Sequence, residues 1–277
     1  MKEKTDNLQM YCISMEPSHF SFIKNLGYIP VGLGNKNFGQ EWLRDNTGKN
    51  ISKKNKNYGE YTFHYWIWKN YIDSLSENWI GFCQYRKFWT IQNYENKNLS
   101  LKILPSIVLQ NIPKNFQDYD VILGEPFFIN QRKMMKFFKK GFRLILKKPK
   151  YLFNQKSRNI KFHFDLMHGE NNLNKAIGLL DKDDRDGFMN YVDSKQYFHP
   201  QNMFICKSKK LLMNYYETLF PWLERCEKIF PEEKLKGYDL TRIYGFLAER
   251  FLSYWFQKNA KCKTMNITFY DIRNEIN

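Results

Sequence analysis

NWIGFCQYRKFW, Asn78 to Trp89, is the stretch from which the rest of the chain is read. Trp79, Ile80, Phe82 and Cys83 form an apolar run of strand length, too short for a buried helix, that stops abruptly at Gln84, Tyr85, Arg86 and Lys87. The pattern predicts an interior strand whose carboxyl end presents polar groups. In open α/β sheets ligands bind in the crevice beyond the strand ends, so a guanidinium there faces an anionic ligand. A strand that simply emerges into a solvated turn is the other reading of the same residues.

Outward from this run, LQMYCIS (Leu8 to Ser14) reads as a first strand ended by Pro17, and DVILGE (Asp120 to Glu125) as a second interior strand ended by Pro126. The Gly, Asn and Pro of residues 27 to 39 predict a long surface loop, and residues 45 to 57 a polar, turn-rich segment. Neither a Walker pattern nor GxGxxG occurs. Asn57 with Glu60 three residues on resembles a capping box for an enclosed aromatic helix through YGEYTFHYWIWKNYI. Glu60 either caps that helix or reaches a sugar hydroxyl from its start. Residues 91 to 115 read as a loop broken at Pro105, residues 211 to 230 as a helix interrupted near Pro221, residues 244 to 257 as a second helix, and Ile267 to Tyr270 as a closing strand. Asp118, Tyr119 and Asp120 imitate a metal-binding DxD, but they precede an apolar strand where such carboxylates should follow one.

Aromatic residues at 18% and charged residues at 26% of 277 argue for a folded chain with a real core. No run approaches about 18 apolar residues and the first residues lack a hydrophobic leader, which predicts a cytoplasmic protein. Five scattered cysteines predict neither a disulfide nor a structural metal. Of the formal charge of +16, twelve positive residues and no acidic ones fall between Gln131 and Lys161, leaving +4 for the rest. Laid on a helix, that block separates an apolar face from a basic one, the pattern of an interfacial membrane contact. Arg132, Lys136, Lys139, Lys140 and Arg143 would meet the anionic surface. A helix resting on the core with a solvated cationic face is the alternative. Nucleic-acid binding would need aromatic residues on the basic face, and they lie opposite.

The blocks DNTGKNIS with NYGEYTFHYWIWKN (Asp45 to Asn70), IGFCQYRKFW (Ile80 to Trp89), YDVIL (Tyr119 to Leu123), HPQNMFICKS (His199 to Ser208) and RIYGFLAERFL (Arg242 to Leu252) occur in order across most of the chain. In them the sequence resembles the bacterial capsule and lipopolysaccharide glycosyltransferases catalogued as domain of unknown function 4422, some of which are galactofuranosyltransferases. It departs from that pattern at Gln84, where a His is usual, and at Met15 and Glu16, where His and Lys are usual.

The resemblance implies an α/β fold of the GT-A-like nucleotide-sugar type, with a central mixed sheet flanked by helices. It would be one domain over residues 1–277, with 131–161 a basic amphipathic insertion. It further implies transfer of a hexosyl group, with galactofuranosyl one candidate, from a nucleotide-diphosphate sugar to a lipid-linked capsular, lipopolysaccharide or exopolysaccharide glycan at the inner face of the membrane. The fold-keeping but non-catalytic alternative is a membrane- or glycan-binding protein. At the place where metal-dependent enzymes of that fold carry DxD, Arg86 with Lys87 would neutralise the diphosphate, so no metal or other cofactor is expected. Gln84 and Tyr85 sit beside them, while Asn50, Ser52, Asn55 and Glu60 are expected on the nucleotide or sugar. Glu249 is the expected base, with Asp239 and Glu60 as alternatives, unless it only pairs with Arg250 or Arg242. His199, Asn202, Asp239 and Arg242 are expected on the sugar or acceptor side.

Overall fold

The central run is a strand buried on both faces, which is why it reads as continuously apolar rather than alternating. The computed structural model describes residues 8–75, 78–94, 99–131, 146 and 149–272. In it β4 (Trp79–Gln84) lies parallel to β1 (Leu8–Ser14), which is also parallel to β2 (Ile29–Gly32); β2 in turn pairs with the short β3 (Leu43–Arg44). On its other side β4 pairs antiparallel with β9 (Phe204–Cys206), β9 with β6 (Val121–Gly124), and β6 runs parallel to β10 (Cys262–Phe269). β5 (Lys87–Thr90) leaves β4 through Tyr85 and Arg86, keeps one pairing to it at Gln84 and Lys87, and runs antiparallel to β10. Among the described residues the result is one mixed eight-stranded sheet, beside a two-stranded ribbon of β7 (Phe127–Phe128) and β8 (Tyr197–Phe198).

Period-two alternation divides the core between the two faces. Tyr11, Ile13, Ile80 and Phe82 face the larger helical layer, whereas Met10, Cys12, Trp79 and Cys83 face the smaller one. The helices Tyr61–Trp66, Lys209–Ile229 and Ile243–Asn259 supply the larger layer. The aromatic helix lies against β4 as its composition predicts: Phe63 and His64 meet the ring of Phe82 at 6.4 and 4.4 Å, and the His64 ring bonds the Tyr216 hydroxyl at 2.6 Å. The five cysteines are free.

Several local expectations change. The loop over 27–39 contains the buried strand β2, because pairing with β1 outweighs the turn-forming composition. Asn57 is not an N-cap: Gly59 at φ 59° separates the Asn55–Tyr58 turn from the Tyr61–Trp66 helix, and the Asn57 amide donates to the Thr241 carbonyl at 2.9 Å. Glu60 makes no capping bond. Pro105 sits in the first turn of the Leu104–Ile107 helix, where its missing N–H costs nothing. The Lys209–Ile229 helix runs uninterrupted through Pro221, and the closing strand extends back to Cys262 in the interior of the sheet. Residues 132–145 and 147–148 lie outside the described residues, and with them the predicted basic helix and Arg132, Lys136, Lys139, Lys140 and Arg143. Next to them Leu146 is exposed and Phe153 is 86% exposed.

Candidate functional site

β1 and β4 run parallel, so their carboxyl ends open on the same side of the sheet. A cavity of about 160 Å³ lies there, lined by Ile13, Met15, Leu33, Asn55, Gly59, Glu60, Gln84, Tyr85, Arg86 and Arg242. A second, of about 180 Å³, shares Glu60, Gln84, Arg86 and Arg242 and adds Lys87, Gln201, Asn202, Tyr238, Gly245, Phe246 and Glu249. Four side chains therefore form a wall common to both. Residues between 34 and 53, with Trp66, line a third, larger and more open cavity of about 1000 Å³, adjoining at Gly34, where an added Cβ would meet the Met15 methyl at 2.7 Å.

The shared wall combines charges of both signs. Glu60 is at its centre: Oε1 accepts from Gln84 Nε2 at 3.2 Å and Asn202 Nδ2 at 3.0 Å, and Oε2 from Arg242 Nη2 at 3.3 Å. Arg86 stays 39% exposed at the rim, its Nη1 4.0 Å from Asp271 and its guanidinium 5.3 Å from the Tyr85 ring centre. Lys87 is half-buried; loss of hydration pushes its pKa below 10.5, Glu60 and Glu249 push it back up, and Arg86 and Arg242 add to the lowering. Arg86, Lys87, Arg242 and the Arg250 paired with Glu249, against Glu60, Glu249 and Asp271, leave one excess cation around a concave site, the balance suited to an anionic ligand.

The remaining edge is the turn between His199 and β9. Gln201 and Asn202 adopt φ of 83° and 54°, a left-handed pair without glycine. Such backbone strain persists only where surrounding contacts hold it, and it clusters at functional sites. Here Glu249 accepts from the Gln201 N–H at 2.5 Å, and the Gln201 carbonyl accepts from Gln84 Nε2 at 3.2 Å. Among the described residues, the buried amide oxygens of Gln201 and Asn202 have no hydrogen-bond partner.

The structure thus brings together Asn55, Glu60, Gln84, Tyr85, Arg86, Lys87, Asn202, Arg242 and Glu249 from four separated segments. Asn50 and Ser52 line the large cavity instead, where Asn50 Oδ1 accepts from the Ser52 hydroxyl at 2.8 Å. His199 lines none of the three cavities. Its Nδ1 donates to the Gly124 carbonyl at 2.6 Å and its Nε2 accepts from Gln257 at 2.9 Å, so the ring ties β6 to the last helix; burial lowers its pKa. Asp239 also lies outside them, its carbonyl 3.1 Å from the His168 ring. Asp120 accepts from the Lys261 N–H at 2.8 Å and has a structural part. Gln201, Arg44, Thr47 and Trp66 line cavities without having been singled out in the sequence; a non-glycine left-handed turn leaves no composition signal. Among the described residues no cluster of His, Cys, Asp and Glu is placed to hold a metal ion, and no helix is long and apolar enough to cross a membrane.

A family model described as domain of unknown function 4422 matches residues 11–260. The fold is similar to that of the apo structure of WbbM, a bifunctional glycosyltransferase, with a TM-score of 0.68 and 20% identity over 95% of this chain. This chain spans 45% of that protein. No curated protein matches.

Proposed function

The chain belongs to the family of domain of unknown function 4422, and on that premise we propose that it is a glycosyltransferase of GT-A-like architecture that uses a nucleotide-diphosphate sugar. The observation that carries this is the meeting of Arg86, Lys87 and Arg242 with Glu60 and Glu249 beyond the carboxyl ends of β1 and β4. The diphosphate lies against the three cations and the nucleoside extends toward the large cavity of Asn50 and Ser52. The transferred sugar faces Gln84 and Asn202. In the reaction an acceptor hydroxyl oxygen bonds to the anomeric carbon as the bond from that carbon to the diphosphate oxygen breaks. The diphosphate keeps the electron pair, and fixed cations stabilise its growing charge. The hydroxyl proton passes to a carboxylate of the wall, Glu60 or Glu249.

Cationic side chains at the end of β4 support a transfer that needs no divalent metal. The donor sugar is a hexose, with galactofuranose the candidate from the family resemblance, and the acceptor a lipid-linked surface glycan. The basic segment and exposed Phe153 support seating on an anionic membrane at the cytoplasmic face. A thermal-shift screen of UDP-, ADP- and GDP-sugars identifies the donor; release of nucleoside diphosphate in the presence of acceptor and EDTA then tests transfer without metal. Donor binding without release indicates a binding protein that has kept the fold. Loss of release with EDTA and recovery with manganese refutes the metal-free mechanism. Co-sedimentation with phosphatidylglycerol vesicles but not phosphatidylcholine vesicles is expected of the membrane contact.

A further inference from the structure

Two carboxylates face the candidate site, and their surroundings assign them different work. Building on the proposed transfer reaction, we propose that Glu249 is a positioning residue, joined with Arg250 in a buried strut that holds the turn at Gln201 and Asn202, and that Glu60 takes the acceptor proton.

Exposure does not separate the two, since the side chains of Glu60 and Glu249 are both 13% exposed. Their partners do. Arg250 is 2% exposed, with its guanidinium 4.2 Å from the Phe198 ring centre and 5.5 Å from that of Phe164. Its Nη1 donates to Glu249 Oε2, and its Nη2 lies 3.2 Å from His163 Nδ1. A guanidinium does not give up its proton, so protonating Glu249 would strip a buried fixed charge of its paired carboxylate, a costly event. The other oxygen of Glu249 holds the Gln201 N–H. That bond fixes the first of the two left-handed residues, and Asn202 is fixed by donating to the Gly245 carbonyl at 3.3 Å and to Glu60. The strut thus sets where the Asn202 amide meets the reacting carboxylate.

Glu60 is paired with no fully buried guanidinium; the half-buried Lys87 ammonium draws on Glu60 and Glu249 alike. Two of its three bonds come from the neutral amides of Gln84 and Asn202; the third comes from Arg242, 32% exposed and lining both cavities. A bound diphosphate offers Arg242 and Lys87 another anion, so Glu60 can accept a proton without leaving a fully buried guanidinium unpaired. In the balanced step the acceptor O–H gives its proton to Glu60, its oxygen closes the bond to the anomeric carbon, and the diphosphate departs with the electron pair.

The test compares Glu60→Gln, Glu249→Gln, Arg250→Met and the double variant Glu249→Gln/Arg250→Met. UDP release is followed with UDP-galactose and UDP-galactofuranose as donors and a galactose-terminated lipid-linked disaccharide as acceptor; UDP affinity comes from calorimetry. Glu60→Gln should lower kcat by about 10²- to 10⁴-fold with UDP affinity within about threefold of wild type. Glu249→Gln should lower kcat and raise KM together, and the double variant should recover kcat to within about tenfold of wild type, because the stranded charge is removed with its partner. A double variant as inactive as Glu249→Gln, with UDP still bound, overturns the assignment and makes Glu249 the base; so does full activity in Glu60→Gln. The melting temperatures of the four variants provide a reading independent of turnover, and the double should melt above Glu249→Gln. Wild type that binds none of UDP, ADP and GDP and releases none of them from the corresponding sugars refutes the glycosyltransferase reading, and a double variant melting below Glu249→Gln refutes the strut.

Discussion

Replacing Arg86 by Met removes the guanidinium while keeping most of its apolar stem, and the structure sets the size of the effect on each property. The side chain stands 39% exposed with its carboxylate neighbour Asp271 at 4.0 Å, the outer limit of an ion pair. A pair so placed and screened by water contributes at most about 1 kcal/mol. The structural bond at this residue is made by the backbone, whose carbonyl accepts from the Tyr270 N–H at 3.1 Å and survives the substitution. The fold should therefore lose little. Binding of a diphosphate loses charge-assisted hydrogen bonds worth about 1.5–3 kcal/mol. For a half-exposed group the expected loss is about 2 kcal/mol, or roughly 30-fold in UDP affinity. Titration calorimetry at 50 and 200 mM salt measures it, with a smaller difference expected at the higher salt. Arg86→Met that melts with the wild type and binds UDP equally well would refute the assignment of this cation to the diphosphate.

Lys87 predicts a pH dependence with two signs. Burial holds its pKa below 10.5 in the folded protein, so in the window between that lowered value and 10.5 the unfolded chain binds more protons and stability rises with pH. UDP affinity falls over the same window as the ammonium is lost, and binding takes up protons, seen as a buffer-dependent enthalpy; Lys87→Met should abolish both, and an unchanged proton uptake would count against the contact. His64, held down to about 3 by burial, should make stability fall as pH drops from 6.5 towards 3, with a limiting slope of about 1.4 kcal/mol per pH unit. Urea unfolding at pH 7, 5 and 4 should show a flatter dependence for His64→Asn, and parallel curves would exclude the ring as the source. An added Cβ at Gly59 would sit 2.1 Å from Arg242 Nη2 on a backbone at φ 59°. Gly59→Ala should therefore cost about 1–3 kcal/mol of stability and weaken UDP binding by displacing Arg242; wild-type affinity would show that Arg242 is not a ligand group.

Legibility in the sequence followed how local each cause was. The central strand and the basic turn beyond it were readable because burial on both faces demands a run of apolar side chains and its end releases that demand. The aromatic helix is readable for the same reason, but its start is not: Gly59 breaks the chain there, and Glu60 spends its carboxylate on the site. Pairing on both flanks carries β10 through Lys263, Thr264 and Asn266, polar residues that no periodicity marks as an interior strand. His199 looked like a sugar contact because of its motif, yet its neighbours in space, Gly124 and Gln257, engage both ring nitrogens.

The sequence by itself determined the class of fold, the location of a strand buried on both faces and the presence of a cation just beyond that strand's end, since these depend on the hydrophobicity of consecutive side chains. Only the tertiary structure decided that Glu60, Gln84, Asn202, Arg242 and Glu249 line one cavity with that cation, and that one carboxylate is tied to a buried guanidinium while the other is held by Gln84, Asn202 and the more exposed Arg242. Those meetings depend on which strands lie side by side and how the turns between them are held, and a buried charge acquires its cost from what surrounds it in space.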